Sequence, residues 1–499
     1  MTVGQQLLER DQQLAALGRA MDAAASGHGS LILLSGEAGV GKTALVRRFA
    51  ATLDGIHVVT GICDPLPTPH ALGPLLDIAP ALGFTLEQLL VGSRSGRDVY
   101  AAVFSQLSRL TVPAVLVFED LHWGDQASLE LVGFLGRRVD RLRVLIIGTF
   151  REEEIGGGGA LAEMLGDLAT APGVRRLTLG PLSRDATSKL AQGSSTDVEE
   201  LYRMTGGNAF FITEVLGASS QDIPPTVRDA VLVRVARRSR EVRQALEIAA
   251  AIGVRADPGL LSRIMEAAGT PRWSVDEAVD AGLLEWQGSW LAFRHELAQA
   301  AIARGTSPEL RRRLHASILS ELRSRVVRPD DYAILAGHAE AAGDDPAVLE
   351  LAPLAAARAA DLGAHSEAAQ LYSKALERSR DRPELTAELF ERRGTERYLS
   401  RRLADAMDDH RAAADICRNL GDRLGEARNL IRFSYLSSAA GDPVVSETAL
   451  TTATGLLEQF PASRELAIAY EARGRRLFVS NQPGPAEAGA GSGEQTGRW

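Results

Sequence analysis

Residues 35–43 combine the side chains and the flexible backbone that hold a phosphate group. They follow four apolar residues and run Ser-Gly-Glu-Ala-Gly-Val-Gly-Lys-Thr. Gly36 and Gly41 permit a tight turn whose amide groups point inward, and a helix that begins near Lys42 adds the positive end of its dipole. We expect Lys42 to contact the outer phosphates of a nucleotide and the Thr43 hydroxyl to bind Mg²⁺. The predicted contacts to nucleotide in this segment are Gly36, Glu37, Ala38, Gly39, Val40, Gly41, Lys42, Thr43 and Ala44.

A second group of candidate residues follows two apolar runs. Glu119 and Asp120 come directly after the run 114–118, and Arg151 closely follows the run 144–148. Parallel strands present their carboxyl ends at one edge of a sheet, where a phosphate loop also lies. We expect Glu119 to hold Mg²⁺, directly or through water, and Asp120 to orient or deprotonate an attacking water. Arg151 is a candidate contact to the terminal phosphate, and a plain surface arginine is an equal alternative.

Short apolar runs alternate with helical patterns in the first 180 residues. This alternation predicts an α/β P-loop NTPase domain with a five-stranded parallel sheet covered by helices on both faces. A helix over residues 5–25 is expected to lead into the first strand. The predicted strands are 31–34, 57–60, 114–118, 144–148 and 175–179.

Strand patterns largely disappear after residue 182, so the remainder is predicted to be helical. Residues 283–295 are the exception, since they predict a two-stranded wing that turns at Gly288 and leads into a helix. Residues 367–376 are loosely echoed by 404–413, near the repeat length of tetratricopeptide helix pairs, and an alanine-rich bundle is the alternative. The predicted domains are 1–180, a P-loop ATPase; 181–225, a helical lid; 226–305, a winged helix; 306–480, TPR-like helical repeats; and 481–499, a disordered tail.

Composition limits the classes of function. The net charge of −9 argues against a surface that coats nucleic acid, and the basic runs 234–243 and 311–313 fit solvated helix faces. Cys63 and Cys417 lie far apart and lack the spacing of a metal site. Together with an N-terminus without a signal-peptide core, they indicate a reducing cytoplasm. No apolar run approaches the roughly 20 residues that span a bilayer, so we expect no membrane partner.

Taken in order, these motifs resemble the STAND branch of the AAA-like ATPases. More narrowly, the chain is similar to the N-terminal part of the large ATP-binding LuxR-type transcriptional regulators. Each motif is weak alone, whereas the ordered set is specific. The segments that carry the resemblance are 8–11, 36–43, 63–69, 72–75, 118–125, 148–151 and 293–295.

The resemblance implies roles that spacing alone does not show. Leu8 and Arg10 would border the adenine site, and Arg151 would be the sensor of the terminal phosphate. His295 would contact a bound diphosphate and lock a closed state; without the resemblance it is a plain helix-start histidine. In this family the winged helix clamps nucleotide, so it is not a sign of DNA binding.

Three departures from the family pattern accompany the resemblance. Ala209 stands where the family has a proline that contacts the base, and Glu119 stands where aspartate is commoner. The family's regulators end in a helix-turn-helix much farther along the chain. We therefore expect a truncation or a frameshift, and no DNA binding by this chain without that element.

The predicted function is a nucleotide-gated signalling switch that uses ATP, ADP and Mg²⁺. ADP would hold a closed form, an unknown inducer on the helical repeats would favour opening, and slow ATP hydrolysis would reset the switch. Self-association in the ATP state is a further possibility. Two alternatives stay open: an ATPase motor resembling origin-recognition proteins, and an interaction scaffold that nucleotide merely stabilises.

Overall fold

A computed structural model describes residues 7–63, 71–85, 88–89, 96–155, 159–192, 194, 196–218, 226–461 and 464–480. The chain divides into two compact units, residues 1–367 and 368–499. The motif residues 64–69, the expected boundary at 222–225 and the predicted tail 481–499 lie outside the described residues. The bounds of the five predicted domains stay predictions.

Five parallel strands form the sheet that the sequence predicts, so the α/β fold class is confirmed. The strands are β1 Ser30–Ser35, β2 His57–Ile62, β3 Ala114–Glu119, β4 Val144–Phe150 and β5 Val174–Thr178. Their order in the sheet is β2-β3-β4-β1-β5. Every residue of β1, β3 and β4 is buried, as expected for parallel strands with helices on both faces.

Helices cover this sheet, and one predicted helix is shorter than expected. The helix predicted over 5–25 begins at Asp11, and residues 7–10 are not helical. Glu9 has a φ of 57°, which an α-helix does not allow. Among its described residues, the helices of this region include Asp11–Ala25, Lys42–Ala50, Gly73–Ala81, Gly96–Ser108, Gln126–Gly136 and Ala160–Leu168.

The strand order brings the candidate residues to one edge of the sheet. β4 pairs with β1 on one side and with β3 on the other. The phosphate loop follows β1, Glu119 ends β3, and Arg151 follows β4. The three groups therefore meet at the carboxyl edge of adjacent strands.

Helices and one small sheet make up the rest of the first unit. The wing turns at Gly288 as predicted, with a φ of 61° that suits glycine. A third strand, Arg255–Ala256, pairs with the wing and was not predicted. Its two residues are too short for a pattern to show. The helices are Arg184–Leu190, Val198–Thr205, Ala209–Ala218, Val227–Ala236, Arg240–Ile252, Pro258–Ala267, Trp273–Asp280, Glu296–Gly305, Pro308–Arg323, Tyr332–Ala342 and Asp345–Asp361, and the wing strands are Leu284–Gln287 and Trp290–Phe293.

The second unit consists of helices in its described part, with its first residues in the helix His365–Leu376 that crosses the boundary. Two contacts join residues 37 positions apart, the same offset that separates the echoing segments 367–376 and 404–413. The hydroxyls of Tyr398 and Tyr435 are 3.3 Å apart, and Arg428 donates to Glu391. The TPR-like part of the fold class is thereby confirmed. Its helices are Pro383–Leu399, Leu403–Leu420, Arg423–Ala439, Pro443–Leu457 and Arg464–Ser480.

Among the described helices, none combines the length and the apolar content needed to cross a bilayer.

Two histidines face each other where the helices Pro308–Arg323 and Tyr332–Ala342 pack. The Nδ1 atoms of His315 and His338 are 2.9 Å apart, so one ring donates a hydrogen bond to the other. Burial lowers the pKa of His338 to about 4 and also lowers the pKa of His315. Both rings are therefore neutral in the folded protein at neutral pH.

This pair predicts a loss of stability in mild acid. As pH falls below 6.5 the unfolded chain takes up a proton on His338 that the folded chain takes up only near pH 4. The contribution of neutral His338 to the free energy of unfolding is therefore present above pH 6.5 and is lost as the pH falls from 6.5 to about 4. We expect His338→Gln to reduce the slope of the unfolding free energy against pH by up to about 1.4 kcal/mol per pH unit in this window, measured by urea unfolding. His28→Gln, at an exposed position, is the control, and equal slopes in wild type and His338→Gln would contradict the prediction.

Candidate nucleotide-binding site

Three glycines shape the loop that follows β1. Gly36, Gly39 and Gly41 have φ values of 150°, 79° and 107°, in the region that side chains rarely adopt. Gly41 is the N-cap of the helix Lys42–Ala50. The loop thus wraps around the positive end of that helix, where backbone amides and the helix dipole favour an anion.

Lys42 lies inside this loop. Its side chain is buried, and Nζ donates to the carbonyl oxygens of Gly36, at 2.7 Å, and Glu37, at 3.0 Å. The ammonium group is therefore folded back over the loop, where it can neutralise a phosphate.

An acidic side chain already contacts the loop. The amide of Ala38 donates to Glu153 Oε1 at 3.1 Å. Glu153 comes two residues after Arg151, in a segment whose residues 156–158 lie outside the described part. The contact shows that at least one amide of the loop is directed at an anionic oxygen.

Glu119 is buried at the end of β3. Burial raises the pKa of this carboxyl, while Arg47 and Arg255 lower it and Glu285 raises it further. Arg47 lies one helical turn after Thr43 on the same helix. Glu119 therefore interacts electrostatically with the helix that carries Thr43.

Asp120 interacts with charged groups other than those that act on Glu119 from the wing. Its amide donates to the Thr149 hydroxyl at 2.9 Å, and its φ of 57° turns the chain out of the strand. Burial and Glu119 raise the pKa of Asp120 to about 6, whereas Arg151 and Lys42 lower it. The fold thus brings the predicted residues Lys42, Asp120 and Arg151 together.

Thr43 and Glu119 offer the oxygen ligands that Mg²⁺ prefers. Within the part of the chain that is described, no group of three or more His, Cys, Asp or Glu side chains is placed to hold a metal ion. Magnesium in nucleotide sites takes one or two protein oxygens and completes its shell with phosphate and water. The two residues fit an ion that arrives with a nucleotide.

The segment before the first helix joins the phosphate loop to the following helices. Arg10 is buried, and its Nη2 donates to Gly180 O at 2.7 Å and to Val40 O at 3.3 Å. Leu8 packs against the hydrophobic cluster of residues 182–215. The structure therefore places Arg10 beside the loop and Leu8 against the helices that follow the sheet, and the contact of either residue with adenine stays a prediction.

The start of the helix Ala209–Ala218 rests directly on the phosphate loop. The side-chain Nδ2 of Asn208 donates to Ala38 O at 2.8 Å, and the backbone N–H of Phe210 donates to Gly39 O at 3.0 Å. A Cβ added at Gly39 would lie only 2.8 Å from Asn208 Oδ1 and from Phe210 Cβ. Sequence reasoning noted this segment for Ala209 and missed Asn208 and Phe210, since their 170-residue separation from the loop hides the contact.

His295 contacts Phe210, which in turn is bonded to the phosphate loop. His295 occupies the N-cap position of the helix Glu296–Gly305, and its ring centroid is 4.0 Å from that of Phe210. Burial lowers the pKa of His295 to about 3, helped by Arg294, Arg47 and Arg234, so the ring is neutral. A direct contact with a diphosphate stays a prediction.

Two ion pairs hold the winged helix against the α/β region. Arg47, on the helix that follows the phosphate loop, pairs with Glu285 of the wing. Arg255, in the unpredicted strand, lies 3.8 Å from Asp77. Arg47, Arg255 and Glu285 all act on the charge of Glu119, which has only 8% of its surface exposed. The wing therefore meets the α/β region near the predicted magnesium ligand, an arrangement called closed below.

Residues 6–147 match the family model of the AAA ATPase domain. The matched segment contains the phosphate loop and both acids, so it supports the AAA-type ATPase part of the resemblance. An uncharacterised protein of Rhizobium meliloti (strain 1021) is 24% identical over 450 residues, which are 75% of this chain and 43% of that protein. The chain thus spans less than half the length of this relative.

Several solved structures share parts of the architecture. A STAND protein with a tetratricopeptide repeat sensor from Pyrococcus horikoshii is 16% identical, with 92% of this chain and 80% of that chain covered and a TM-score of 0.48. The ORC1 protein of Aeropyrum pernix, solved in complex with DNA, is also 16% identical, with 60% and 94% covered and a TM-score of 0.34.

Two glycine substitutions separate the contact at the phosphate loop from backbone strain. Gly39→Ala and Gly41→Ala both place a side chain at positive φ, but only the Cβ at Gly39 collides with Asn208 and Phe210. We expect Gly39→Ala to lower the unfolding free energy of the nucleotide-free protein by about 1–3 kcal/mol more than Gly41→Ala. Urea unfolding measures both variants, and equal losses would show that the contact contributes nothing.

Proposed function

We propose that this chain is an ATP-binding signalling switch with slow hydrolysis, of the kind found in LuxR-type STAND regulators. The observation that carries the proposal is the continuous contact from the phosphate loop to the winged helix. Gly39 accepts a hydrogen bond from Phe210, whose ring packs on His295. The match to the AAA ATPase domain supports ATP as the nucleotide.

This contact makes nucleotide state and domain closure interdependent. A phosphate that draws the loop amides inward must move Gly39, and the Phe210 backbone is bonded to its carbonyl oxygen. A ligand shifts a conformational equilibrium only if it binds the two states differently. The loop meets this condition because one of its own carbonyls is part of the closing contact.

The residues around the terminal phosphate have distinct tasks in this proposal. Lys42 binds the outer phosphates, Asp120 positions the attacking water, and Arg151 senses the terminal phosphate. Their grouping is supported by the fact that Lys42 and Arg151 both lower the pKa of Asp120. Mg²⁺ held by Thr43 and Glu119 would offset negative charge on the phosphates.

The closed arrangement corresponds to the resting state of the switch. Arg47 and its partner Glu285 both act on the charge of the buried Glu119. In the proposal this pair loosens before the carboxylate binds a hydrated ion. In the proposal ADP favours this closed state, and an inducer on the helical repeats favours the open state with ATP. Self-association in the ATP state and an effect on transcription in a longer relative belong to the same proposal.

Substitution of the loop lysine tests the nucleotide site. Lys42→Ala removes the ammonium group that faces the outer phosphates. We expect ATP affinity to fall at least 30-fold, about 2 kcal/mol, the size of one lost hydrogen bond to a charged group. Isothermal titration of Mg-ATP measures the change. Lys189→Ala, at an exposed lysine on another helix, is the matched control and keeps wild-type affinity.

The control and wild type then serve to test the switch. Their mass in solution is compared in ATP and in ADP, and a change between nucleotides supports a switch. Wild-type affinity in Lys42→Ala would refute the phosphate site. The same mass and shape in both nucleotides would favour a scaffold, and rapid steady-state turnover would favour a motor.

The histidine of the winged helix tests closure by ADP. His295→Ala removes the ring that packs on Phe210, so the closed state loses a contact that the open state lacks. We expect ADP to dissociate about tenfold faster, within the range of typical coupling free energies. Stopped-flow release of a fluorescent ADP analogue measures this rate. His57→Ala, at an exposed strand residue, is the control, and an unchanged rate in His295→Ala would separate the winged helix from nucleotide retention.

A further inference from the structure

His122 is a buried histidine to which no task has yet been given. It lies in the short helix Leu121–Trp123, directly after the turn at Asp120. Its side chain is 0% exposed, and neither ring nitrogen has a hydrogen-bond partner among the described residues. Buried polar groups nearly always have partners, so such an exception calls for a functional or structural reason.

Two other buried histidines of this chain do have partners. His410 Nδ1 lies 2.9 Å from Asn429 Oδ1, and His338 Nδ1 lies 2.9 Å from His315 Nδ1. These contacts show the usual way in which a structural histidine is satisfied. His122 differs from both, because neither of its ring nitrogens has such a partner and Nδ1 lies 4.0 Å from a carboxylate oxygen of Asp120, the predicted catalytic acid.

The geometry places His122 beside the Asp120 carboxylate. Its Nδ1 is 4.0 Å from Asp120 Oδ1, so a movement of about 1 Å would form a hydrogen bond of ordinary length. The Asp120 backbone is already fixed by the bond from its amide to Thr149. This bond fixes the backbone of Asp120 but leaves the orientation of its carboxylate to other contacts.

The charges around His122 favour a neutral ring. Burial, together with the positive charges of Arg151 and Lys42, lowers its pKa to about 3. A neutral imidazole has one N–H donor and one acceptor nitrogen. It can therefore donate a hydrogen bond to a carboxylate and leave the negative charge of that carboxylate in place. The ring of Trp123, at a centroid distance of 5.3 Å, packs beside it.

We propose that His122 is a positioning residue that donates a hydrogen bond from Nδ1–H to Asp120 and so aims this carboxylate at the attacking water. The proposal rests on the function proposed above. In the reaction the water oxygen bonds to the γ-phosphorus, the bond from that phosphorus to the ADP oxygen breaks, and a water proton passes to Asp120. His122 takes no part in bond making and acts only through Asp120.

Two substitutions at His122 separate positioning from folding. His122→Leu removes the donor, and His122→Asn keeps an N–H group near the place of Nδ1. We expect His122→Leu to lower the single-turnover rate of ATP hydrolysis about 100-fold, the usual effect of a displaced catalytic group, with ATP affinity unchanged. His122→Asn should recover most of the rate. Equal melting temperatures and ADP affinities show that both variants fold, and His28→Leu, at an exposed histidine, is the control.

The Asp120→Asn background shows whether His122 acts through this acid. There, His122→Leu should cause no additional loss of rate. Wild-type hydrolysis in His122→Leu, or a full loss that persists in the Asp120→Asn background, would overturn the proposal while leaving the switch intact. If wild type neither binds nor hydrolyses ATP in a manner that depends on Lys42, the proposed function fails and this proposal fails with it.

Discussion

The hydrogen bond from the Phe210 amide to the carbonyl of Gly39 is the contact on which the account depends. It is possible because Gly39 lacks a side chain and takes a φ of 79°, which brings a helix start against the phosphate loop. Asn208 adds a second bond to the same loop. The loop that is predicted to bind phosphate is thus also the surface on which the helix Ala209–Ala218 rests, through the carbonyl oxygens of Ala38 and Gly39.

Buried charge links the candidate magnesium ligand to the wing. The pKa of Glu119 is raised chiefly by burial, and Arg47 and its partner Glu285 both act on it. A buried carboxylate is stable only with charged or hydrogen-bonding partners. In the proposed switch, a nucleotide with its metal ion would offer such partners at the loop and would compete with the contacts between the wing and the α/β region.

Much of this site was predictable from local sequence, and the couplings were not. Alternating apolar runs identified all five strands, and glycine spacing identified the loop, because both signals are contained in a few neighbouring residues. The contacts of Asn208 with Ala38 and of Arg47 with Glu285 join positions 170 and 238 residues apart. No period or spacing encodes them. The same limit hid the unpartnered ring of His122, since burial and the absence of a partner are properties of the fold.

Hydrogen exchange at the Phe210 amide tests the central claim most directly, because this N–H makes the bond to Gly39. The exchange of peptides that cover residues 206–216 and 290–298 should be compared in nucleotide-free, ADP-bound and Mg-ATP-bound protein. The account predicts slower exchange of both segments with ADP than with Mg-ATP. Protection by either nucleotide that stays confined to residues 36–48 would contradict it, since the phosphate loop would then be occupied without any effect on the lid or the winged helix.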